Sequence, residues 1–493
     1  MIEPAKYKLT NDQNIFREEF LEFIENDEDN IYILKGYAGT GKTFMLKLIT
    51  DYLDKKKRQH RLMAPTGRAA KVITDKTGKR AFTIHKSIYS FDKQAAKKVK
   101  KNEFKYSFKL RTNEDDKDAI YIIDEASMIS GKYSEAEFFT FGSGELLKDL
   151  FSYVHQGGLK PERKILFIGD PAQLPPVNTN ISPALDIDIL SGYGFLVREH
   201  TLTEVVRQQE ESGILLKACE LRDSIDLESY EKTEFENYFH DIDIIYHNDF
   251  LEEYLSASDF HSENDSIVIA YSNRAAQHYN KWIRSHFYPE YKNITSGDRV
   301  MVTTNNYSYP IELLNGDFGV VVYASEETTT TDEPVYVETL FGPAAKKSAP
   351  LKKVDLIFRD CIIRFEEPGG NQIDIECKIL DNLLHSNERD ISAEERKALI
   401  MDFQNRNPKL KPGSDEYIEA IGADEYVNAL RLKFGYAITG HKSQGGEWNN
   451  VFLDVAKPFK VNDEAYTRWL YTALTRAKEK LFIIKPYDPL NDF

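Results

Sequence analysis

Short runs of apolar residues recur along the chain, and each leads into a loop of polar residues or glycines. The clearest runs are residues 31–34, 62–64, 120–124, 165–170, 267–271, 451–455 and 481–484. Helical patterns lie between several of them, and in residues 44–53 the apolar positions stand three or four apart. Continuous apolar strands that alternate with helices are typical of parallel sheets covered on both faces. The pattern predicts an α/β fold, whose ligands bind at the carboxyl ends of the strands.

Two regions break this pattern. Residues 86–111 carry nine Lys or Arg against two acidic residues, a local net charge of +7, and the partly alternating stretch 104–111 predicts one strand of a hairpin. Residues 296–430 hold a threonine run in an acidic setting, a predicted hairpin turn at 366–371 and a capping box from Ser392 to Glu395 that predicts a helix start. We interpret both regions as insertions into a pair of α/β cores.

Composition narrows the possible classes of protein. The 493 residues are 41% hydrophobic and 29% charged, and 64 Lys and Arg stand against 80 Asp and Glu, a net charge of −16. Any nucleic acid must therefore bind through local basic surface. Cys219, Cys361 and Cys377 form no CxxC pair, which argues against a disulfide framework, a zinc finger or an iron–sulfur cluster. Since no apolar run reaches the ~20 residues that span a membrane, and the first residues lack a signal-peptide pattern, we expect a cytoplasmic protein without a membrane partner.

The strongest chemical signal is the glycine-rich segment between the first predicted strand and the helical pattern that follows it. Its residues are Gly36, Tyr37, Ala38, Gly39, Thr40, Gly41, Lys42 and Thr43. The segment fits the phosphate-loop pattern, in which backbone N–H groups point at phosphate oxygens and a Cβ would block the approach. Lys42 would neutralise the β- and γ-phosphates, and Thr43 would ligate Mg²⁺. The alternative is a glycine-rich turn that binds nothing, and the flanking strand and helix argue against it.

Asp124 and Glu125 end the apolar strand at residues 120–123 and supply the second part of the predicted site. Phosphate-loop enzymes need a carboxylate at a neighbouring strand end to hold Mg²⁺. We assign Asp124 to Mg²⁺, and Glu125 to the attacking water, which it would orient and deprotonate. The sequence therefore predicts a nucleoside triphosphate hydrolase.

Four further segments follow in order along the chain, at residues 169–177, 202–208, 436–448 and 471–478. Together with the phosphate loop they resemble the ordered motifs of the superfamily 1 helicases, most of all the group that contains RecD and the phage helicase Dda. The resemblance covers most of the chain outside the two insertions. It implies two RecA-like cores with ATP and Mg²⁺ in the cleft between them and single-stranded DNA across their top. It also implies an intracellular protein of bacterial or phage type.

The resemblance also assigns roles on the nucleotide side. Gln13 would read the adenine edge, and Gln173 would sense the γ-phosphate. Arg207 and Arg476 would reach the γ-phosphate from the second core, where a donated arginine stabilises transition-state charge only when the cleft is shut. The residues that would approach the nucleotide from the same core are Gln444, Gly446 and Glu447.

A track for single-stranded DNA is implied as well. The contacts that the resemblance implies are Pro65, Thr66, Arg68, Thr83 and His85 on the first core and Thr439, His441 and Ser443 on the second. The basic stretch lies where this group inserts a pin, a β-hairpin that parts the duplex, and Phe104 and Phe108 could stack on the last base pair. The alternative, a solvated basic hairpin whose aromatic side chains pack on its own core, stays open.

The resemblance divides the chain into four domains: a first core of residues 1–87 and 117–200, a pin insertion at 88–116, a second core of 201–295 and 430–493, and an SH3-like β-rich and helical insertion at 296–429. It implies a DNA helicase of replication, recombination or repair that moves 5′ to 3′ and unwinds duplexes with a 5′ tail. An RNA helicase or remodelling ATPase, or a nucleotide-gated scaffold subunit, stays open as an alternative. A nuclease, suggested by Asp374, Glu376 and Lys378, is weaker because alternating charges usually mark a strand's solvent face.

Overall fold

The computed structural model describes residues 8–91, 106–134, 139–156, 163–205, 212–230, 233–235, 239–258, 265–336, 351–367, 369–412 and 414–486. The elements of the first 205 residues are α1 (Asn11–Glu25), β1 (Ile31–Gly36), α2 (Lys42–Lys55), β2 (His60–Ala64), α3 (Gly67–Thr77), β3 (Phe82–Thr83), α4 (Ile84–Ile88), β4 (Tyr89–Phe91), β5 (Tyr106–Leu110), β6 (Ile120–Ile123), β7 (Phe139–Phe141), α5 (Leu146–Val154), β8 (Lys164–Gly169), α6 (Ile187–Gly192) and β9 (Val197–Leu202). Those that follow are α7 (Gly213–Asp226), β10 (Ile242–Tyr246), α8 (Phe250–Ala257), β11 (Ser266–Ala270), α9 (Asn273–Phe287), β12 (Arg299–Val302), β13 (Phe318–Tyr336), β14 (Leu351–Glu366), β15 (Gln372–Leu380), α10 (Asp381–Leu384), α11 (Ala393–Arg406), α12 (Asp415–Ala423), β16 (Leu432–Phe434), β17 (Ala437–Thr439), α13 (Gly440–Ser443), β18 (Trp448–Asp454), α14 (Asp463–Leu474) and β19 (Ala477–Lys485). Within these ranges no helix is long and apolar enough to cross a membrane.

The first core is built on a six-stranded sheet in the order β3-β2-β6-β8-β1-β9, and every neighbouring pair is parallel. Strands β6 and β8 are buried at every residue because helices cover both faces. In β1, Ile31 and Ile33 enter the hydrophobic core on one face, while Tyr32 and Leu34 enter the core on the other. This arrangement explains why the strands read as continuous apolar runs, and it confirms the predicted α/β fold class.

The second core holds five parallel strands in the order β10-β19-β18-β11-β17. Alternate residues of β11 again face two hydrophobic cores, with Val268 on one side and Ile267 on the other. Both sheets are therefore of the RecA-like kind that the sequence predicts. Because β19 begins at Ala477, Arg476 lies at the amino end of the second sheet.

A three-stranded sheet in the order β4-β5-β7 belongs to the first insertion. β4 and β5 are antiparallel, and the segment between them, residues 92–105, lies outside the described residues together with Phe104. β5 also pairs in parallel with β7, so this sheet takes in residues beyond position 116, where the sequence placed the end of the insertion. The position of the pin tip stays a prediction.

The second insertion carries a five-stranded antiparallel sheet in the order β15-β14-β13-β12-β16, whose last strand lies beyond position 429, where the sequence placed the end of the insertion. The predicted turn at 366–371 joins β14 to β15, with Glu366 opposite Gln372, and the predicted capping box at Ser392 begins α11. Asp374 forms an exposed ion pair with Arg364 at 2.7 Å, as expected for a solvent face. No group of three His, Cys, Asp or Glu that could hold a metal ion occurs among the described residues.

A buried ion pair joins the second insertion to its core. Arg284 of α9 donates from Nε to Asp298 Oδ1 at 2.9 Å, and Asp298, just before β12, is fully buried. The same guanidinium donates to the backbone oxygen of Tyr291 at 2.7 Å, and the Tyr436 hydroxyl donates to Asp298 Oδ1 at 3.2 Å. Burial raises the pKa of Asp298, and its hydrogen bond and charge contact with Arg284 oppose that rise. The ion pair therefore holds the start of the second insertion against α9 of the second core, and both buried charges have partners.

We expect Asp298→Ala to lower the free energy of unfolding by about 3–5 kcal/mol, because it leaves the Arg284 guanidinium buried without its counter-charge. Equilibrium urea unfolding, followed by tryptophan fluorescence, measures the loss. Asp374→Ala is the matched control, since it removes an exposed partner of an arginine and should change stability much less. Similar losses in the two variants would contradict the anchoring role of Asp298.

Candidate active site

The phosphate loop has a backbone that only glycine adopts without strain. Gly39 and Gly41 have φ of 77° and 86°, in the left-handed region. A Cβ added to Gly36 would lie 2.9 Å from the Cγ of Lys42 and 2.9 Å from the Oγ1 of Thr40. The glycines that the sequence singled out are thus needed for this bend, and Lys42 follows it directly as the first residue of α2.

The Lys42 side chain is folded onto its own loop. Its Nζ donates to the backbone oxygens of Gly36 and Tyr37 at 2.5 and 2.9 Å and lies 3.5 Å from Oδ2 of Asp170. Asp170 is buried and follows β8 directly. The charged group assigned to the phosphates therefore already sits within the loop, beside a carboxylate that the sequence did not single out.

Gln13 lies against the phosphate loop, as expected for a residue near the nucleotide. Its Nε2 donates to the backbone oxygen of Thr40 at 3.0 Å, and its Oε1 accepts from the Thr10 N–H at 3.1 Å in a capping box at the start of α1. Gln13 is 2% exposed. Both ends of its amide are thus bonded within the chain, and reading of the adenine edge stays a prediction.

Asp124 and Glu125 lie at the carboxyl end of β6, where the sequence predicts them. Asp124 Oδ1 accepts from the Glu125 N–H at 2.8 Å, and Glu125 has a φ of 54°, a rare value for a residue with a side chain. Burial, followed by the Glu125 charge, raises the pKa of Asp124 to about 7. Backbone strain and a perturbed carboxyl at one strand end are typical of functional sites.

Residues of both cores line a cavity of about 40 Å³ at this point. The residues of the predicted site that line it are Thr43, Asp124, Glu125, Glu447 and Arg476. Hydroxyl and carboxylate oxygens are the ligands that Mg²⁺ prefers, so Thr43 and Asp124 fit the predicted cation. Lys76 of α3 bridges the cores with its Nζ 2.6 Å from Glu447 Oε1.

Arg476 is buried at the edge of this cavity, and each nitrogen of its guanidinium donates one hydrogen bond. Nε donates to the Thr472 backbone oxygen at 2.9 Å, and the two terminal nitrogens donate to Thr475 Oγ1 at 3.1 Å and to the Gly446 oxygen at 3.4 Å. The second predicted arginine, Arg207, lies outside the described residues. The structure therefore brings one of the two arginines to the cleft.

The loop after β8 docks onto the second core. The Gln444 Nε2 donates to the Leu174 backbone oxygen at 2.9 Å, and Gln173 beside it is 4% exposed. Among the described residues the structure gives the buried Oε1 of Gln173 no hydrogen-bond partner. A buried acceptor without a partner is costly, which fits the prediction that Gln173 meets a ligand.

Tyr471 is, after Asp170, a second residue of this site that sequence reasoning missed. Its hydroxyl accepts from the Ala38 N–H of the phosphate loop at 2.9 Å and donates to Asp170 Oδ2 at 2.8 Å. The Tyr37 hydroxyl makes another contact between the loop and the second core, donating to Asp226 Oδ2 at 2.8 Å. Tyr471 stands in the same motif as Arg476, but a tyrosine in an apolar helix reads as a core residue.

On the predicted strand-binding face, two threonines cap helices. Thr66 Oγ1 accepts from the Ala69 N–H at the start of α3, and Thr83 Oγ1 accepts from the Lys86 N–H at the start of α4, each at 3.2 Å. Pro65 precedes Thr66 at the end of β2. These residues lie where the resemblance implies DNA contacts, and the contacts themselves stay predictions.

Arg68 lies between the first core and aromatic rings of the other domains, and its predicted DNA contact stays a prediction. It is 9% exposed, and its guanidinium lies 4.0 Å from the ring centroid of Trp448 and 4.8 Å from that of Phe318. The guanidinium is therefore stacked between a ring of the second core and a ring of the second insertion. Both partners are hundreds of residues away in the chain, so no local pattern could indicate them.

His85 and Phe108 join an aromatic cluster. The His85 ring centroid lies 4.9 Å from Phe141 and 5.6 Å from Tyr89, and Phe108 stacks on Phe141 at 4.8 Å. Burial lowers the pKa of His85 to about 4, so its imidazole is neutral near pH 7. For Phe108 this packing favours the open alternative, an aromatic residue that packs on the insertion's own core.

The predicted DNA contacts on the second core differ in exposure. Thr439 is the residue just before α13, and His441 is exposed on that helix. Ser443 is fully buried and its hydroxyl donates to the Gly440 backbone oxygen at 2.8 Å. Ser443 therefore supports α13 from within, and the DNA contacts of Thr439, His441 and Ser443 stay predictions.

The chain matches two family models. One, described as an AAA domain, matches residues 9–240, and the other, a UvrD-like helicase C-terminal domain, matches residues 434–484. The chain is 25% identical over 524 residues to Uncharacterized protein R530 of Acanthamoeba polyphaga mimivirus, covering 95% of this chain and 98% of that protein. It is 26% identical over 151 residues to the ATP-dependent RecD2 DNA helicase of Deinococcus radiodurans, covering 31% of this chain and 17% of RecD2.

Among solved structures, the fold is similar to a Pif1 helicase from Bacteroides, crystallised with ADP-AlF3 and single-stranded DNA. The TM-score is 0.44 at 17% identity, over 99% of this chain and 97% of that one. The Pif1 helicase from Candida albicans gives a TM-score of 0.45 at 16% identity, over 98% and 95% of the two chains.

The two parallel sheets and the phosphate loop define a phosphate-loop NTPase fold with two RecA-like cores. The AAA match covers the first sheet and extends to residue 240, and the UvrD-like match covers β17, β18 and β19. Together with the partial RecD2 match, they support a superfamily 1 helicase of RecD-like type, and such helicases hydrolyse ATP.

We expect Lys42→Ala to abolish nucleotide hydrolysis, because the phosphates lose their fixed counter-charge. Glu125→Gln should still bind nucleotide while turnover collapses, since only the activation of water is removed. Steady-state phosphate release and equilibrium binding of a fluorescent nucleotide separate the two effects. Hydrolysis by Glu125→Gln at near the wild-type rate would show that another group is the base.

Arg476→Ala should leave nucleotide binding mostly intact and cut hydrolysis by ~10³-fold or more, as arginine fingers do. The measurement is kcat and KM under DNA-saturated conditions. A control is Arg364→Ala, which removes an exposed arginine of the second insertion that pairs with Asp374. An effect of Arg476→Ala on KM alone would place the arginine in ground-state binding.

Proposed function

We propose that the protein is an ATP-dependent DNA helicase that moves 5′ to 3′ along single-stranded DNA and unwinds duplex DNA. The observation that carries the proposal is the shared cavity, where Thr43, Asp124 and Glu125 of the first core face Glu447 and Arg476 of the second. Chemistry placed between two cores depends on their relative position, which is what a motor needs. The name of the DNA helicase RecD2, a partial relative, supports DNA as the substrate.

ATP with Mg²⁺ is the proposed cofactor pair, and Mg²⁺ would neutralise charge on the β- and γ-phosphates. Around it, Lys42 would turn from its own loop to the same phosphates. Glu125 would orient the attacking water and take its proton, and Arg476 would donate to the charge that develops in the transition state. Because these groups are largely shielded between the cores, their electrostatic effect is larger than in water.

The strand track would run over both cores. Thr66 and Thr83 on the first core and Thr439 and His441 on the second would supply phosphate contacts, which fix position without reading sequence. If the two cores grip the strand alternately as the cleft closes and reopens, each cycle moves the protein along the strand. The four domain boundaries, the SH3-like character of the second insertion, the cytoplasmic location and a role in replication, recombination or repair belong to this proposal.

Direction does not follow from these residues, because alternating grips work with either polarity. The resemblance supplies it, since relatives with a pin-bearing insertion in the first core and an SH3-like insertion in the second move 5′ to 3′. The described part of the second insertion is a β-sheet with the three later helices α10, α11 and α12, unlike the larger helical insertions of relatives that move the other way.

We expect a duplex with a 5′ single-stranded tail to be unwound, and blunt and 3′-tailed duplexes to resist. A strand-displacement assay with the three substrates tests this, and Lys42→Ala is the control for ATP-independent melting. Binding should weaken steeply with salt, since counterions released from the track are taken up again. Displacement from the 3′-tailed substrate alone would overturn the direction and leave the ATPase proposal intact.

The same preparation separates the alternatives. Hydrolysis stimulated equally or better by a matched RNA oligonucleotide would favour an RNA helicase or remodelling ATPase. Nucleotide binding without unwinding of any substrate would favour a nucleotide-gated scaffold subunit. Robust unwinding of DNA by the isolated chain would exclude the scaffold.

A further inference from the structure

One buried hydroxyl of the second core reaches into the phosphate loop of the first. The Tyr471 Oη accepts the Ala38 N–H at 2.9 Å and donates to Asp170 Oδ2 at 2.8 Å, and Lys42 Nζ lies 3.5 Å from the same carboxylate oxygen. Tyr471 is fully buried and Asp170 is 1% exposed. We call this chain, from Ala38 through Tyr471 and Asp170 to Lys42, the tyrosine bridge.

The bridge satisfies the bonding capacity of each group in it. A tyrosine hydroxyl has one proton to donate and can accept another, and here the proton faces a carboxylate, which can only accept. Asp170 also accepts from the Ala172 N–H at 3.0 Å, which holds the carboxylate in place. Burial and the nearby Asp170 charge raise the pKa of Tyr471 far above its ordinary value, so the hydroxyl keeps its proton. A buried bridge of this kind fixes one geometry.

Tyr471 is held rigidly by the rest of helix α14. The neighbouring Thr472 Oγ1 accepts from the Leu174 N–H at 2.8 Å, and the Arg468 terminal nitrogen donates to the Pro171 oxygen at 2.7 Å. These two bonds hold α14 on the loop after β8 from either side of Tyr471. Any movement of α14 away from the first core therefore withdraws the hydroxyl from the phosphate loop.

The Ala38 N–H is one of the backbone donors of a loop whose shape suits phosphate oxygens. We propose that Tyr471 is a positioning residue whose hydroxyl competes with the nucleotide for this N–H, so that occupation of the phosphate loop and contact with α14 exclude each other. The inference rests on the proposed function of the loop as the nucleotide site. The segment 471–478, which carries Arg476, would then also hold the phosphate loop against α14 while the Tyr471 hydroxyl accepts the Ala38 N–H.

Tyr471→Phe tests the competition, because it removes one oxygen and preserves the ring. In the variant the Ala38 N–H and one oxygen of Asp170 lose a partner in the arrangement in which α14 contacts the phosphate loop. That arrangement is therefore destabilised relative to the one with nucleotide in the loop. We expect ADP and a non-hydrolysable ATP analogue to bind about 2- to 10-fold more tightly in the absence of DNA, the range that one net hydrogen bond represents. Equilibrium titration with a fluorescent ADP derivative measures this without hydrolysis.

Tyr466→Phe is the matched control. Tyr466 lies on the same helix, and its hydroxyl donates to the Val455 backbone oxygen at 2.7 Å within the second core. We expect this variant to bind nucleotide with wild-type affinity, and thermal unfolding of both variants shows whether they fold. A structural defect at Tyr471 would weaken nucleotide binding, which is the opposite sign.

The outcomes separate this inference from the proposed function. Failure of the wild-type chain to bind either nucleotide would overturn the proposed function and the inference together. Wild-type binding with equal or weaker binding by a folded Tyr471→Phe variant would overturn the inference alone. Tighter binding by both tyrosine variants would show a general loosening of α14 and would also overturn it.

Discussion

The structure depends on the contact between the loop that follows β8 and helix α14, which holds the two cores together at the candidate site. Three successive polar groups of this helix, on Arg468, Tyr471 and Thr472, bind the loop by hydrogen bonds at 2.7 to 2.8 Å. Buried polar groups must keep their partners, and a buried network therefore permits few relative positions of the parts it joins. The same contact sets the distance between the Asp124 carboxylate in one core and Arg476 in the other. A cavity as small as about 40 Å³ follows from this close docking.

The elements of the two cores could be predicted because their signals are local. A strand covered on both faces must be apolar at nearly every position, and β6 and β8 are. The phosphate loop could be predicted for a similar reason, since the bend itself requires glycine at positions 39 and 41. The two carboxylates at 124 and 125 follow from the rule that parallel strands present their carboxyl ends at one edge.

The parts that could not be predicted depend on contacts between distant segments. Arg68 reads as a phosphate contact, but rings supplied by Phe318 and Trp448 bury its guanidinium. Ser443 stands among exposed candidates in the sequence, yet its hydroxyl supports the turn of α13 from within. Tyr471 reads as a core aromatic residue, and only the docked loop shows that its hydroxyl has polar partners on the other core. No local sequence pattern predicts the direction of a side chain across an interface between distant segments.

Charge is arranged in the same long-range manner. Lys86, beside the predicted track, pairs with Glu312 of the second insertion at 2.7 Å, and Lys71 Nζ lies 3.7 Å from an oxygen of Glu366. These pairs are partly exposed and contribute little to stability, on the order of 1 kcal/mol or less each. Acidic side chains of the second insertion thus neutralise lysines of the first core but add little to the free energy of unfolding. A chain with a net charge of −16 can therefore still offer these lysines to another anion.

The donors assigned to the nucleotide are already engaged within the chain. Lys42 binds its own loop, the Ala38 N–H binds Tyr471, and Arg476 binds backbone and hydroxyl oxygens at the end of α14. A phosphate that takes these donors exchanges one set of hydrogen bonds for another, so the net gain is far smaller than the contacts suggest. The cores have one arrangement with the internal hydrogen bonds and another with a phosphate on the same donors. A ligand shifts the equilibrium between two such states only by its differential affinity for them, so the net binding free energy depends on how far the two arrangements differ. Internal partners for these three donors therefore couple nucleotide binding to the geometry of the cleft, and such coupling is the property by which this fold can convert binding into movement.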